Sequence, residues 1–131
     1  MAVVGRIAGT EHFRNIERHR VETLPGLIAL RVDESLFFAN AAALEQKVGD
    51  LLSQHSDTRC LLLILSAVNR IDTTALIMLD ELERSLTLKG VQLQLAEVKG
   101  PVMDRLGATD LGLRLASRIY LSTNEAFNAH Q

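Results

Sequence analysis

Six consecutive apolar residues, Cys60 to Leu65, run without a single polar interruption. A strand with one wet face alternates apolar and polar side chains; a strand covered on both faces does not, and such strands belong to parallel sheets packed between helices. This run therefore marks the centre of an α/β fold. From Asp72 onward, Ala75, Leu79, Leu82 and Leu86 recur at helical spacing, while Asp80, Glu81, Glu83, Arg84 and Lys89 take other faces and Gly90 supplies a stop. Val91 to Ala96 then alternates as a half-buried strand, and Pro101, just after Gly100, opens a third helix that ends at Gly107.

The flanking segments extend the same pattern. Glu17 to Thr23 alternates, Leu24-Pro25-Gly26 is turn chemistry and Leu27 to Val32 is an apolar run, together predicting a hairpin. Asn40 reads as the N-cap of a helix whose apolar positions are Leu44, Val48, Leu51 and Leu52, ending near His55. Arg118 to Leu121 reads as a short edge strand. Ser122, with Glu125 three residues on, makes a capping box for a short terminal helix containing Ala126, Phe127 and Ala129. The predicted fold is a small mixed, mostly parallel β-sheet with an N-terminal hairpin and about four helices packed on it, its crossovers right-handed.

Composition narrows the functional classes. At 131 residues and 47% hydrophobic the chain has material for one domain with one core. With 14 basic against 16 acidic residues and a net charge of -2, it lacks the basic surface that displaces counterions from nucleic acid. Phe13, Phe37, Phe38, Tyr120 and Phe127 are too few and too scattered to form a base-stacking row. No apolar stretch approaches the roughly 20 residues of a membrane-spanning helix. Met1 to Arg14 lacks the apolar region of a secretory signal, so a cytosolic setting is expected. Cys60, the sole cysteine, reads as a core hydrophobe and leaves no intramolecular disulfide. Gly5 to Asn15, with two glycines and no period, reads as a linker or an arm over the surface, the remainder of a longer chain.

Catalytic and cofactor signatures are missing: there is no phosphate loop, no nucleophile elbow and no paired-cysteine motif, and Gly5-Arg6-Ile7-Ala8-Gly9 lacks the spacing of a dinucleotide fingerprint. His12, His19, His55 and His130 are too scattered for a metal site. The expectation is a chain with no catalytic residues, no cofactor and no metal. The informative stretch is Leu61 to Ala75: a buried strand, a turn and a capped helix. In an open α/β sheet the loops at the carboxyl ends of the strands form the exposed functional edge. Ala67, Asn69 and Arg70 lie in that loop as candidate contacts for a partner or a nucleotide. Asp72 would cap the helix by accepting a hydrogen bond from the amide of Thr74 or Ala75. Thr73 and Thr74 fall in the first turn, where the helix dipole favours a phosphate, which would also repel Asp72. From spacing alone the plainer reading prevails: Asp72 is an ordinary cap, the threonines are ordinary first-turn residues, and Asn69 and Arg70 are turn residues rather than ligands.

These residues resemble the STAS domains, shared by sulfate permeases and anti-sigma-factor antagonists. The resemblance covers nearly the whole chain and centres on Asp72-Thr73-Thr74-Ala75, where the family signature is Asp-Ser/Thr-Ser/Thr-Gly. Gly5 to Glu11 and Phe13-Arg14-Asn15 look like the connector that, in the permease version, joins the last membrane helix to this domain, and Leu36 to Ala41 looks like the permease version of the entrance to the first helix. The resemblance implies residues 1–15 as connector and 16–131 as STAS domain, with the antagonist-like fold. It implies a non-catalytic regulatory domain at the cytoplasmic face of the membrane, partnered by the membrane domain of the same transporter. A cytosolic regulatory protein, a homodimer and nucleotide binding remain open. The alternative it carries is a stand-alone antagonist switched by phosphorylation of Thr74. Ala75 departs from the usual glycine, which would permit close approach of a partner, and so counts against that switch.

Overall fold

The fold rests on a six-stranded sheet in the order β2-β1-β3-β4-β5-β6, described here from a computed structural model covering residues 1–131. The strands are β1 (Ala2–Arg6), β2 (Phe13–Asn15), β3 (Leu27–Arg31), β4 (Cys60–Ile64), β5 (Gln92–Ala96) and β6 (Ile119–Tyr120). The helices are α1 (Phe38–Gln54), α2 (Thr73–Leu88), α3 (Gly100–Gly107), α4 (Asp110–Leu115) and α5 (Thr123–Ala129), with a 3-10 turn at Ala116–Arg118. Strands β3 to β6 are parallel, and β1 runs antiparallel to both β2 and β3.

The apolar run sits where its lack of alternation placed it. All five residues of β4 are buried, and Leu62 and Leu63, which point to opposite faces, are both 0% exposed. On one face Leu61, Leu63 and Leu65 join Leu30, Leu93 and Leu95 beneath α1 to α4 in the main core. On the other, Leu62 and Ile64 join Val4, Ala29 and Ala96 beneath Ala126 of α5, a smaller cluster edged by Phe13 and Tyr120. Phe127 of α5 stands edge-on to Phe13, centroids 5.4 Å apart, and carries the Arg6 guanidinium 4.4 Å above its ring.

Four expectations are revised. Gly5 to Asn15 is not an arm laid over the surface: β1 and β2 are ladder members, Val4 is 3% exposed, and a Cβ at Gly5 would stand 2.5 Å from the Glu22 carbonyl oxygen. The N-terminal hairpin is therefore β1–β2, not 17–23 with 27–32; β3 takes β1 as its antiparallel neighbour, and Glu22 makes only an isolated bridge to Arg6. Asn40 lies inside the first turn of α1, where its Oδ1 accepts from the Phe37 amide at 2.6 Å and its Nδ2 donates to the Ser35 carbonyl. Strand β5 is buried from Leu93 to Ala96, because α5 shields the face on which Gln94 lies and His130 reaches Gln94 Oε1 at 2.8 Å. Helix α4 has no counterpart in the predicted pattern, since its six residues are too few to show a period.

Candidate functional site

The carboxyl ends of β3, β4 and β5 meet at one edge of the sheet, and three loops converge there. The central one runs from Ser66 to Asp72 between β4 and α2. Its partner on one side is the β3–α1 loop: Leu36 and Ile71 form a parallel bridge, the Leu36 amide donates to the Arg70 carbonyl at 2.9 Å, and the Asp72 amide donates to the Leu36 carbonyl at 3.1 Å. Ser35 Oγ accepts from the amides of Asn69 and Arg70, at 3.3 and 3.1 Å. On the other side Lys99 Nζ donates to Asn69 Oδ1 at 2.7 Å, and Arg105 of α3 donates to Thr73 Oγ1 at 3.0 Å. The loop is thus tied on both sides, with the amides of Val68, Asn69, Arg70 and Asp72 engaged. A pinned loop of this kind presents side chains in a defined geometry.

Each predicted site residue has a definite place. Asp72 caps α2, its Oδ1 accepting from the Ala75 amide at 2.8 Å. Thr73, at the first position of α2, is exposed and engaged by Arg105, whereas Thr74, next to it, is exposed with its hydroxyl unbonded. Asn69 is exposed and fixed by Lys99; Arg70 is exposed with its guanidinium free; Ala67 is half-buried and contributes backbone shape. The Ala75 methyl does not reach the surface that a partner would touch. It is 1% exposed and packs in the main core, so the expectation that it hinders approach does not follow from its position.

Sequence reasoning missed the residues that hold the loop: Ser35, Lys99 and Arg105 are 32 to 35 residues away from their partners at Thr73 and Arg70, or 30 in the case of Lys99. No local spacing signals such pairs. It also missed that Phe37 and Phe38, at the head of α1, are 45% and 64% exposed beside this edge. Ile77, on α2 beyond Thr73 and Thr74, is another exposed apolar side chain. The edge therefore combines an apolar patch, a free guanidinium and a free hydroxyl. Aromatic, aliphatic and guanidinium side chains are thus available at this edge for contact with another molecule.

Farther along α2 lies a charged network. Glu83 is buried and accepts from Arg114 Nε at 2.7 Å and from Thr87 Oγ1 at 2.9 Å, with Arg118 at 3.8 Å. Asp80 takes the other arm of Arg114 and Arg84 at 3.1 Å. The Arg114 and Arg84 guanidiniums hold the Asp80 carboxyl below its usual range, and the two carboxylates raise Arg114 in turn. This network clamps α4 to α2. Burial pushes the Cys60 thiol up to about 12, which removes it from nucleophilic chemistry. No group of three or more His, Cys, Asp or Glu side chains is placed to hold a metal ion. No helix is long and apolar enough to cross a membrane.

Comparison with known proteins agrees with the geometry. The family model for the STAS domain matches residues 18–126. The high affinity sulfate transporter 2 of Stylosanthes hamata is 29% identical over 136 residues, spanning 95% of this chain and 20% of that protein. The chain thus spans about a fifth of the length of such curated relatives. Among solved structures, the murine Slc26a9 anion transporter in its inward-facing state superposes with a TM-score of 0.85 at 20% identity, covering 99% of this chain and 22% of that one. The anti-sigma factor antagonist SpoIIAA in its unphosphorylated form superposes with a TM-score of 0.67 at 12% identity, covering 82% of this chain and 90% of that one. These two likenesses establish the fold.

Proposed function

The chain belongs to the STAS domain family, and from that premise we propose that it is the non-catalytic, protein-interacting regulatory domain of a sulfate-permease-type secondary anion transporter. The observation that carries this reading is extent: matches to sulfate transporters span 95 to 98% of this chain, well beyond the residues 18–126 that the family model covers. In this reading residues 1–15 are at once the connector from a membrane domain and the first two strands of the sheet. The domain lies at the cytoplasmic face, and the edge formed by Phe37, Phe38, Arg70 and Thr74 docks against the membrane domain or a cytosolic regulator. Transport selectivity belongs to segments outside these 131 residues.

The test is the natural gene upstream of the codon for residue 1. Ten or more apolar segments in the same reading frame are expected. A stop codon and a ribosome-binding site immediately upstream would overturn the reading.

One observation favours a second reading, the stand-alone antagonist. Thr74 presents an unbonded hydroxyl at the start of a 16-residue helix, where the dipole and the free amides favour a phosphate. Incubation with a cognate anti-sigma kinase and mass spectrometry tests it. A phosphorylated Thr74 peptide supports the switch, and an unmodified one counts against it.

A further inference from the structure

The basic side chains are unevenly spread. Residues 12–20 contain Arg14, Arg18 and Arg20 with His12 and His19, against the single acidic Glu17, in a chain whose net charge is -2. All three arginines are exposed. None is in an ion pair, whereas Arg31, Arg84, Arg114 and Arg118 each have a carboxylate partner. The only hydrogen bond from these three guanidiniums is from Arg14 Nη1 to its neighbour's carbonyl, that of Phe13, at 2.8 Å.

The segment is folded, not loose. Arg14 lies on β2, the edge strand of the sheet, and the chain then doubles back in a turn closed on Asn15. The Asn15 carbonyl accepts from the amides of Arg18 and His19, both at 3.1 Å, and Asn15 Oδ1 accepts from the Glu17 amide at 2.9 Å. Three long, flexible side chains are thereby rooted on one short stretch of the same edge, Arg14 over a groove that Glu11, Glu97 and Glu125 also line. Among them stands Ile16, an apolar side chain 41% exposed.

We propose that this basic turn, residues 12–20, docks on the anionic surface of a lipid bilayer. Unpaired guanidiniums gain most where negative charge is dense and planar, and each adds about a fivefold factor in binding near an anionic leaflet. Ile16 supplies what a soluble acidic partner has no need of, a side chain that enters the headgroup boundary. The proposal rests on the transporter reading, in which the segment lies beside the connector and hence close to the membrane. Docking there would orient the sheet against the bilayer.

Co-sedimentation of the 131-residue chain with phosphatidylcholine vesicles, with and without phosphatidylserine, tests it. Binding is expected only with the anionic lipid and is expected to fall steeply with added salt. The triple replacement Arg14→Gln, Arg18→Gln, Arg20→Gln should weaken it roughly 100-fold. The triple replacement Arg59→Gln, Arg84→Gln, Lys89→Gln removes the same charge elsewhere and should leave it within about twofold by the same reckoning. Ile16→Ala should weaken binding without changing its salt dependence. Thermal melts of each variant separate lost docking from lost fold, and the salt titration of the unmodified chain stands whatever the variants do. Equal binding to neutral vesicles, no binding to either, equal losses in both triple variants, or equally tight binding to soluble polyglutamate would each overturn the proposal. A chain that binds no vesicle but whose gene encodes upstream membrane spans would sink this inference alone and leave the transporter reading standing.

Discussion

Asp72, Asp80 and Cys60 are three polar or reactive side chains whose behaviour the surroundings decide. Asp72 closes one amide at the head of α2. Removing such a cap costs about 1 kcal/mol, so Asp72→Ala should lower the urea midpoint with an unchanged slope, and Asp72→Asn should restore most of the loss. Asp80 titrates lower in the folded protein than the roughly 3.9 of an unfolded aspartate, because Arg114 and Arg84 favour its charged form. The folded state then binds fewer protons than the unfolded state. Its contribution is fully present above about pH 4 and is lost as pH falls from there through the lowered folded value. Asp80→Asn should accordingly flatten the fall in stability measured in acid below about pH 4. Cys60 is 4% exposed with its thiol pushed up to about 12, so a thiol reagent at neutral pH should label it only at the rate of unfolding.

At the scale of elements, α4 shows how a six-residue helix is held by what it touches. Thr109 caps it by accepting from the Gly112 amide at 3.1 Å, and Arg114 ties it to Glu83 of α2. A Cβ at Gly112 would stand 2.0 Å from the Leu106 carbonyl oxygen at the end of α3, which rigid backbone does not yield. Gly112→Ala should therefore destabilise by at least about 2 kcal/mol in chemical denaturation, well beyond a propensity effect, since alanine is otherwise the better helix former. Helix α2 was readable in advance because its stripe of Ala75, Leu79, Leu82 and Leu86 spans about three turns. Helix α4 was not, because its positions are set by a neighbouring backbone and by a charge 31 residues away.

For the whole molecule, the decisive feature is the antiparallel β1 between β2 and β3. A linker is dispensable, but a strand that buries Val4 and pairs with β3 is not. Deleting residues 1–16 should abolish cooperative thermal unfolding or cause aggregation through the bared edge of β3, as read by calorimetry and light scattering. A deletion variant that melts like the full chain would show that the hairpin is peripheral.

The parallel centre was written in local pattern. The unbroken apolar run, the helical stripe after Asp72 and the caps at Asp72 and Ser122 each depend on residues within one or two turns of one another, and that is the range over which backbone geometry repeats. Asp72 and the exposed pair Thr73 and Thr74 belong to this legible part. The strand character of residues 2–6 and 13–15 was not legible, since short edge strands with glycines carry almost no periodicity and owe their form to the neighbour they pair with. Nor were Ser35, Lys99 and Arg105, which fix the signature loop, or the inward turn of the Ala75 methyl. Local pattern along the chain set where it is apolar enough to be buried and where α2 and α5 begin. Which distant side chains meet at the sheet's edge was settled by packing, because such contacts depend on how elements lie against one another and not on how residues are spaced.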